Sequence, residues 1–218
     1  MEVEKLREIK SSFRRAMNAD LSNTMREHGV VYKLNFGVPA PRMRLISESF
    51  EKNVEDAIYL WNEDVRESKI LATYLFPQES MTIELAKEWV EQIKYTEIAD
   101  QITMNLFSQL SFAPQLVDML LRSEEVMLRY TAYRLQIRLL MQDQQVEGER
   151  LALLINEAKK DMLSEISYLA QGALQIMDRL SEQSEGTKKT IETALQSWAI
   201  DKDEKKQHIY RAICYWTL

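Results

Sequence analysis

At 218 residues, 45% hydrophobic and 28% charged, the chain can bury a substantial core and is too apolar to be disordered. Its 5 Gly and 4 Pro are too few for many strands joined by tight turns, which leaves an all-α protein as the expectation. A net charge of −6 excludes a uniformly basic nucleic-acid surface, and the single Cys214 excludes an internal disulfide.

In chain order, the first helix is expected from Val3 to Met17, where Leu6, Ile9, Phe13 and Met17 recur at helical spacing. A short helix over Leu21–Glu27 ends at His28-Gly29, and Pro41 suits the first turn of a helix running to about Phe50. Further helices are predicted near 53–61, 65–76, 80–92, 95–109, 113–121, 124–142, 147–159, 161–183, 186–198 and 202–215. The joints between them, such as Pro77-Gln78-Glu79-Ser80 and Asp143-Gln144-Gln145, are short and polar, so one domain over 1–218 is expected. Helix pairs with tight turns, recurring every 35 to 45 residues or so, are the pattern of a HEAT-like α-solenoid, an α-α superhelix. Tyr215-Trp216 would seal its end.

Helix faces can be read one by one. Over 161–183, Met162, Ile166, Leu169, Ala173, Ile176 and Leu180 form a core stripe, while Tyr168, Gln171 and Gln175 share a polar face. The helix over 124–142 carries two apolar stripes (Val126, Tyr130, Tyr133, Ile137 and Leu128, Ala132, Leu135, Leu139) and is expected to be covered on two sides. At about 100° per residue, Asp100 lies about 200° from Ile98 and Ile102 and points away from the core, alongside Thr96. Trp61 reads as core.

Charge is unevenly placed. Residues 1–50 hold 9 Lys/Arg against 6 Asp/Glu, a balance of +3, whereas the remainder holds 19 against 28, a balance of −9. Arg14-Arg15, Arg26, Lys33, Arg42 and Arg44 make the best basic cluster, consistent with a weak, salt-sensitive DNA contact. Arg134 and Arg138 share a face one turn apart, but Glu124, Glu125 and Asp143 flank their helix, so a solvated face is the expectation there. His28, His208 and Cys214 lack the neighbours a metal site requires, and no phosphate loop or nucleophile elbow occurs. Neither a cofactor nor a metal is expected. No apolar run approaches the roughly 18 residues of a membrane span, and the charged start Met1-Glu2-Val3-Glu4 is unlike a signal peptide, which points to the cytoplasm.

Three segments carry a resemblance to a known family. Phe36-Gly37-Val38-Pro39-Ala40-Pro41-Arg42-Met43-Arg44, then Leu60-Trp61 with Arg66-Glu67 and Ala72…Leu75, then Tyr95-Thr96-Glu97-Ile98-Ala99-Asp100 resemble motifs of the AlkD-like DNA alkylation repair family. The match is good over Tyr32–Asp100 and looser over Glu124–Arg179. The resemblance implies a HEAT-like solenoid that binds duplex DNA on its concave face. Its enzymes excise cationic N3- and N7-alkylpurines using an Asp, an Arg and two Trp. The logic is that a cationic base leaves readily once a carboxylate stabilises the sugar oxocarbenium and aromatic rings hold the lesion.

Carried onto this chain, the family Asp falls on Asp100, the first Trp on Thr96 beside Tyr95, the Arg on Tyr130 beside Arg129, and the second Trp near Gln175. Trp89 is a further aromatic that could line the base-binding groove. Three of the four positions depart from the pattern, so base excision is expected to be weak or lost while DNA binding is retained, with Asp100 and Arg129 on the DNA face. A non-enzymatic protein-interaction scaffold is the alternative, since an acidic groove would attract basic peptides. A third reading is an active alkylpurine glycosylase using Asp100 with substitute aromatics.

Overall fold

A computed structural model describes residues 1–214; the expected seal of Tyr215 and Trp216 lies outside the described residues. The described residues form thirteen α-helices and three short 3-10 turns, with one isolated parallel bridge between Leu34 and Val65. None of these helices is long and apolar enough to cross a membrane, and no cluster of metal-ligating side chains occurs among the described residues.

The helices fall into two compact units. One comprises Met1–Trp89 with Met104–Leu110; the other comprises Val90–Thr103 and the chain from Ser111 onward.

The first unit holds α1 (Val3–Arg15), α2 (Ala19–Glu27), α3 (Ala40–Ser47), α4 (Val54–Asn62) and α5 (Arg66–Leu75), with α6 (Ile83–Glu91) beginning in it. Side-chain caps start two of them. Asn18 accepts from Leu21 N–H and Asn53 from Asp56 N–H, which satisfies amide groups that a helix start leaves unpaired. Trp61 stacks on Trp89 with ring centroids 4.3 Å apart and planes at 5°, and Phe76 meets Trp89 edge-on at 5.2 Å.

The quoted motifs around 36–44 and 60–75 prove to be one structural device. Glu67 is fully buried and accepts backbone N–H bonds from Phe36 and Val38, both at 3.1 Å. Beside it, the equally buried Arg66 donates to Glu67 at 2.7 Å and to the Val38 carbonyl at 3.0 Å. The loop is thereby fastened to the start of α5. Gly37 is obligatory within it: its φ is +66°, and a Cβ there would lie 2.1 Å from the Asn18 carbonyl oxygen.

The second unit holds α7 (Thr96–Asn105) up to Thr103, then α8 (Ala113–Leu121), α9 (Val126–Leu140), α10 (Gly148–Asp161), α11 (Ser167–Ser181), α12 (Glu185–Leu195) and α13 (Glu204–Cys214). As the double stripe predicts, α9 is covered on two sides, by α8 and by α11. Leu135, Leu139, Ala173, Ile176 and Leu180 are completely or almost completely buried between these helices.

Two expected helices are shorter than their periodicity suggests. The one over 95–109 stops at Asn105, because Leu106 leaves helical geometry and a 3-10 turn over Phe107–Gln109 follows; the break lets Leu106 and Phe107 both be buried. The one over 161–183 begins only at Ser167. Ser164 accepts from Ile166 N–H at 3.1 Å, a local turn that competes with helix. Ile166 consequently leaves the core stripe and is 39% exposed.

Candidate functional site

Asp100 lies on the face of α7 opposite Ile98 and Ile102, which are buried; its own side chain is 34% exposed. The carboxylate is engaged. Arg134 Nε donates to Asp100 Oδ1 at 2.5 Å, and the Tyr130 hydroxyl donates to the same oxygen at 3.3 Å. Arg134 Nη1 reaches across to Gln175 Oε1 on α11 at 2.6 Å. One guanidinium thus ties together two of the positions marked in the sequence, Asp100 and Gln175, and Tyr130 joins them through Asp100.

Tyr130 and Arg134 stand one turn apart on α9, so one helix face aims both at Asp100. The Tyr130 ring is pressed against α11 at Gly172, where a Cβ would sit 3.1 Å from Tyr130 Cδ2. Tyr168 closes on it edge-to-face, with centroids 5.4 Å apart. Burial, and then the neighbouring Asp100 charge, push the Tyr130 phenol up to about 12, so at neutral pH it keeps the proton it donates to Asp100. Burial also pushes up the Tyr168 phenol.

Chemically, the arrangement differs from a free carboxylate awaiting an oxocarbenium ion. A carboxylate in contact with a guanidinium already has its charge compensated. The cation beside it opposes both a positively charged base and positive charge developing on the sugar.

The remaining sequence-predicted residues lie elsewhere or serve other purposes. Arg129 does not share the Asp100 face. Its guanidinium is bonded to Asp161 at 2.6 Å, to Glu157 at 2.9 Å and to the Leu121 carbonyl at 2.6 Å, fastening α9 to α10. Burial works against its charge, but Asp161 and Glu157 more than offset this and raise its pKa; Tyr133 adds a bond to Asp161 at 2.6 Å. With four protein acceptors, the Ser123 carbonyl at 3.4 Å included, Arg129 is a structural cation rather than a phosphate contact.

Trp89 cannot line a groove, because it is 2% exposed and its ring is stacked on Trp61. Thr96 opens α7 and Tyr95 precedes it, both half-buried. Arg42 and Arg44 are exposed on α3 in the first unit. There Arg42 lines a 220 Å³ depression with Arg15, and Arg44 lines a 480 Å³ depression with Lys52 and Tyr74.

The residue overlooked in the sequence is Arg134, expected to face solvent. The signal was present in its spacing: it stands one helical turn after Tyr130, the position at which the family's arginine is replaced.

Comparison with known proteins gives two findings. The family described as "DNA alkylation repair enzyme" matches residues 9–167. A solved structure of "a new family of proteins related to the HEAT-like repeat DNA glycosylases with affinity for branched DNA structures" superimposes with a TM-score of 0.77, covering 90% of this chain and 83% of that one at 12% identity. No curated protein matches the chain. At this identity the structural likeness establishes the fold, which is all-α and HEAT-like.

Proposed function

Because this chain belongs to the DNA alkylation repair enzyme family, we propose that it binds DNA on the face carrying Asp100, Arg134 and Gln175 and excises alkylated purines weakly or not at all. The Asp100–Arg134 pair carries this reading. The carboxylate that the resemblance matches to the family Asp is bonded to a guanidinium at 2.5 Å, while the resemblance sets Thr96 at one of the family's two Trp positions and the other near Gln175. What remains is a polar strip able to meet phosphate and sugar, without the aromatic pair that would hold a lesion. The net charge of −6 predicts few phosphate contacts and a shallow salt dependence. The solved neighbour belongs to proteins with affinity for branched DNA structures, so branched DNA stands beside duplex DNA as a ligand class.

The test has two arms. Anisotropy of labelled duplex and four-way-junction DNA across a salt series should show salt-dependent binding. Release of N7-methylguanine and N3-methyladenine from methylated duplex should be slow or no faster than without protein. Fast release that Asp100→Asn abolishes would instead establish a working glycosylase, and absence of binding to either DNA would refute the reading.

The scaffold alternative has one observation behind it. A 610 Å³ groove beside α10 has Leu153, Leu163 and Trp198 in its walls and Lys159, Lys160 and Lys206 around it. Glu157 lines the groove too and pairs with Lys160 at 2.7 Å, and Lys206 pairs with Asp201 at 2.9 Å, so its apolar wall rather than free charge favours a protein segment.

A further inference from the structure

Between α9 and α11 lies a groove of about 310 Å³ lined by Arg134, Ile137, Arg138, Met141, Gln175, Asp178 and Arg179. Its three arginines differ in how they are occupied. Arg134 is held by Asp100 and Gln175. Arg179 is bonded to Glu182 at 2.7 Å, but both side chains are about half exposed, 48% and 57%, so the pair is a weak one. Arg138 is half-buried and forms no ion pair among the described residues; its guanidinium meets the Met141 sulfur at 3.8 Å. Withdrawing a guanidinium from water without an anion is costly, so a half-buried one facing a groove is poised for an anion from outside.

We propose that this groove is a DNA phosphodiester site in which Arg138 supplies the uncommitted cation. Arg134 and Arg138 share one face of α9, about 6 Å apart along its axis. That spacing is comparable to the step between neighbouring phosphates along one DNA strand, which exceeds the axial rise of about 3.4 Å because the backbone winds around the axis. A strand running along α9 can therefore set one phosphate against Arg138 while sugar or phosphate atoms of the neighbouring nucleotides meet Arg134 and Gln175. Arg179 can exchange Glu182 for phosphate at little cost, because the surface pair it gives up is weak. Asp178 is the opposing charge in the groove and limits the affinity. Met141, 59% exposed, and Ile137 supply an apolar wall for the sugar edge.

The site rests on the DNA-binding reading above, and the experiment separates the two. Anisotropy of labelled duplex and four-way-junction DNA is measured from low to moderate salt for the wild type, Arg138→Gln, Arg138→Lys, Asp178→Asn and Arg122→Gln. The last removes the same charge from an exposed position elsewhere in the second unit. Arg138→Gln should weaken binding about 10-fold and flatten the log–log salt slope by about 0.9, the value for one lost phosphate contact. Arg138→Lys should restore most of the slope, Asp178→Asn should tighten binding a few-fold, and Arg122→Gln should leave the slope in place. Wild-type binding with an unchanged slope in Arg138→Gln, or an equal loss in Arg122→Gln, would overturn the site and leave DNA binding standing. No wild-type binding would overturn both. Arg138 is half-buried and has no ion pair among the described residues to lose, so the thermal melts of the variants should match and show that folded proteins are compared.

Discussion

Replacing Glu67 by Gln removes one negative charge from the place in the first unit where the chain depends on it most. Glu67 is fully buried, receives the Phe36 and Val38 amides at 3.1 Å each, and neutralises an Arg66 that is itself 1% exposed. In the variant one carboxylate oxygen becomes an amide NH2, a donor facing donors, and the buried Arg66 loses the anionic oxygen it meets at 2.7 Å. Breaking a buried ion pair from one side costs about 3–5 kcal/mol, with the unmet amide included in that range. Against a total of about 5–15 kcal/mol, this is a large share. At about 2–4 °C per kcal/mol for a chain of this length, the melting temperature should fall by between about 6 and 20 °C. Urea denaturation followed by circular dichroism and by tryptophan fluorescence reads the loss directly. Adding Arg66→Met should recover part of it, because a buried cation no longer faces the neutral amide. A loss below about 1 kcal/mol, or a double variant worse than the single, would show that the pair does not fasten the loop.

Four further outcomes are expected. Gly37→Ala places a Cβ 2.1 Å from the Asn18 carbonyl oxygen at a φ of +66°, and should leave little soluble protein on expression. Trp89→Ala should cost about 3–5 kcal/mol in urea denaturation, yet leave DNA affinity unchanged below the new melting point, because its ring packs on Trp61 and Phe76. Gly172→Ala crowds the Tyr130 ring at 3.1 Å and should loosen its 3.3 Å bond to Asp100, bringing the Tyr130 phenol closer to its ordinary value in an ultraviolet titration. The folded chain holds the Tyr130 proton to about 12, against 10.0 for an ordinary phenol, so the stability linked to it is complete below about pH 10 and is lost as pH rises through about 12. Tyr130→Phe should remove that component from the alkaline unfolding curve.

Some features were readable because they are local. The burial of Ile98 and Ile102, the outward turn of Asp100 and the two covered sides of α9 all follow from a period of 3.6 residues, which one helix expresses without help from any other. Where a side chain offered the backbone a competing bond, periodicity misled: Ser164 turns the chain before α11 and leaves Ile166 in water. Arg129 and Arg134 mark the limit most clearly. They stand five residues apart on one helix with similar flanks, yet Arg129, expected on the DNA face, is closed off by Asp161 and Glu157, while Arg134, expected in solvent, is bonded to Asp100 and Gln175.

By itself the sequence determined that the chain is helical, which stripe of each helix is buried, and that its motifs belong with DNA alkylation repair enzymes. Only the tertiary structure decided the partners. Arg129 belongs to Asp161, Arg134 to Asp100, and the Arg66–Glu67 motif to the loop around Gly37, across sequence separations of 32, 34 and about 30 residues. The reason is physical. Burial follows from a residue's own polarity and its place in the helical repeat, whereas an ion pair is a property of two residues and of every intervening turn that brings their charges within reach.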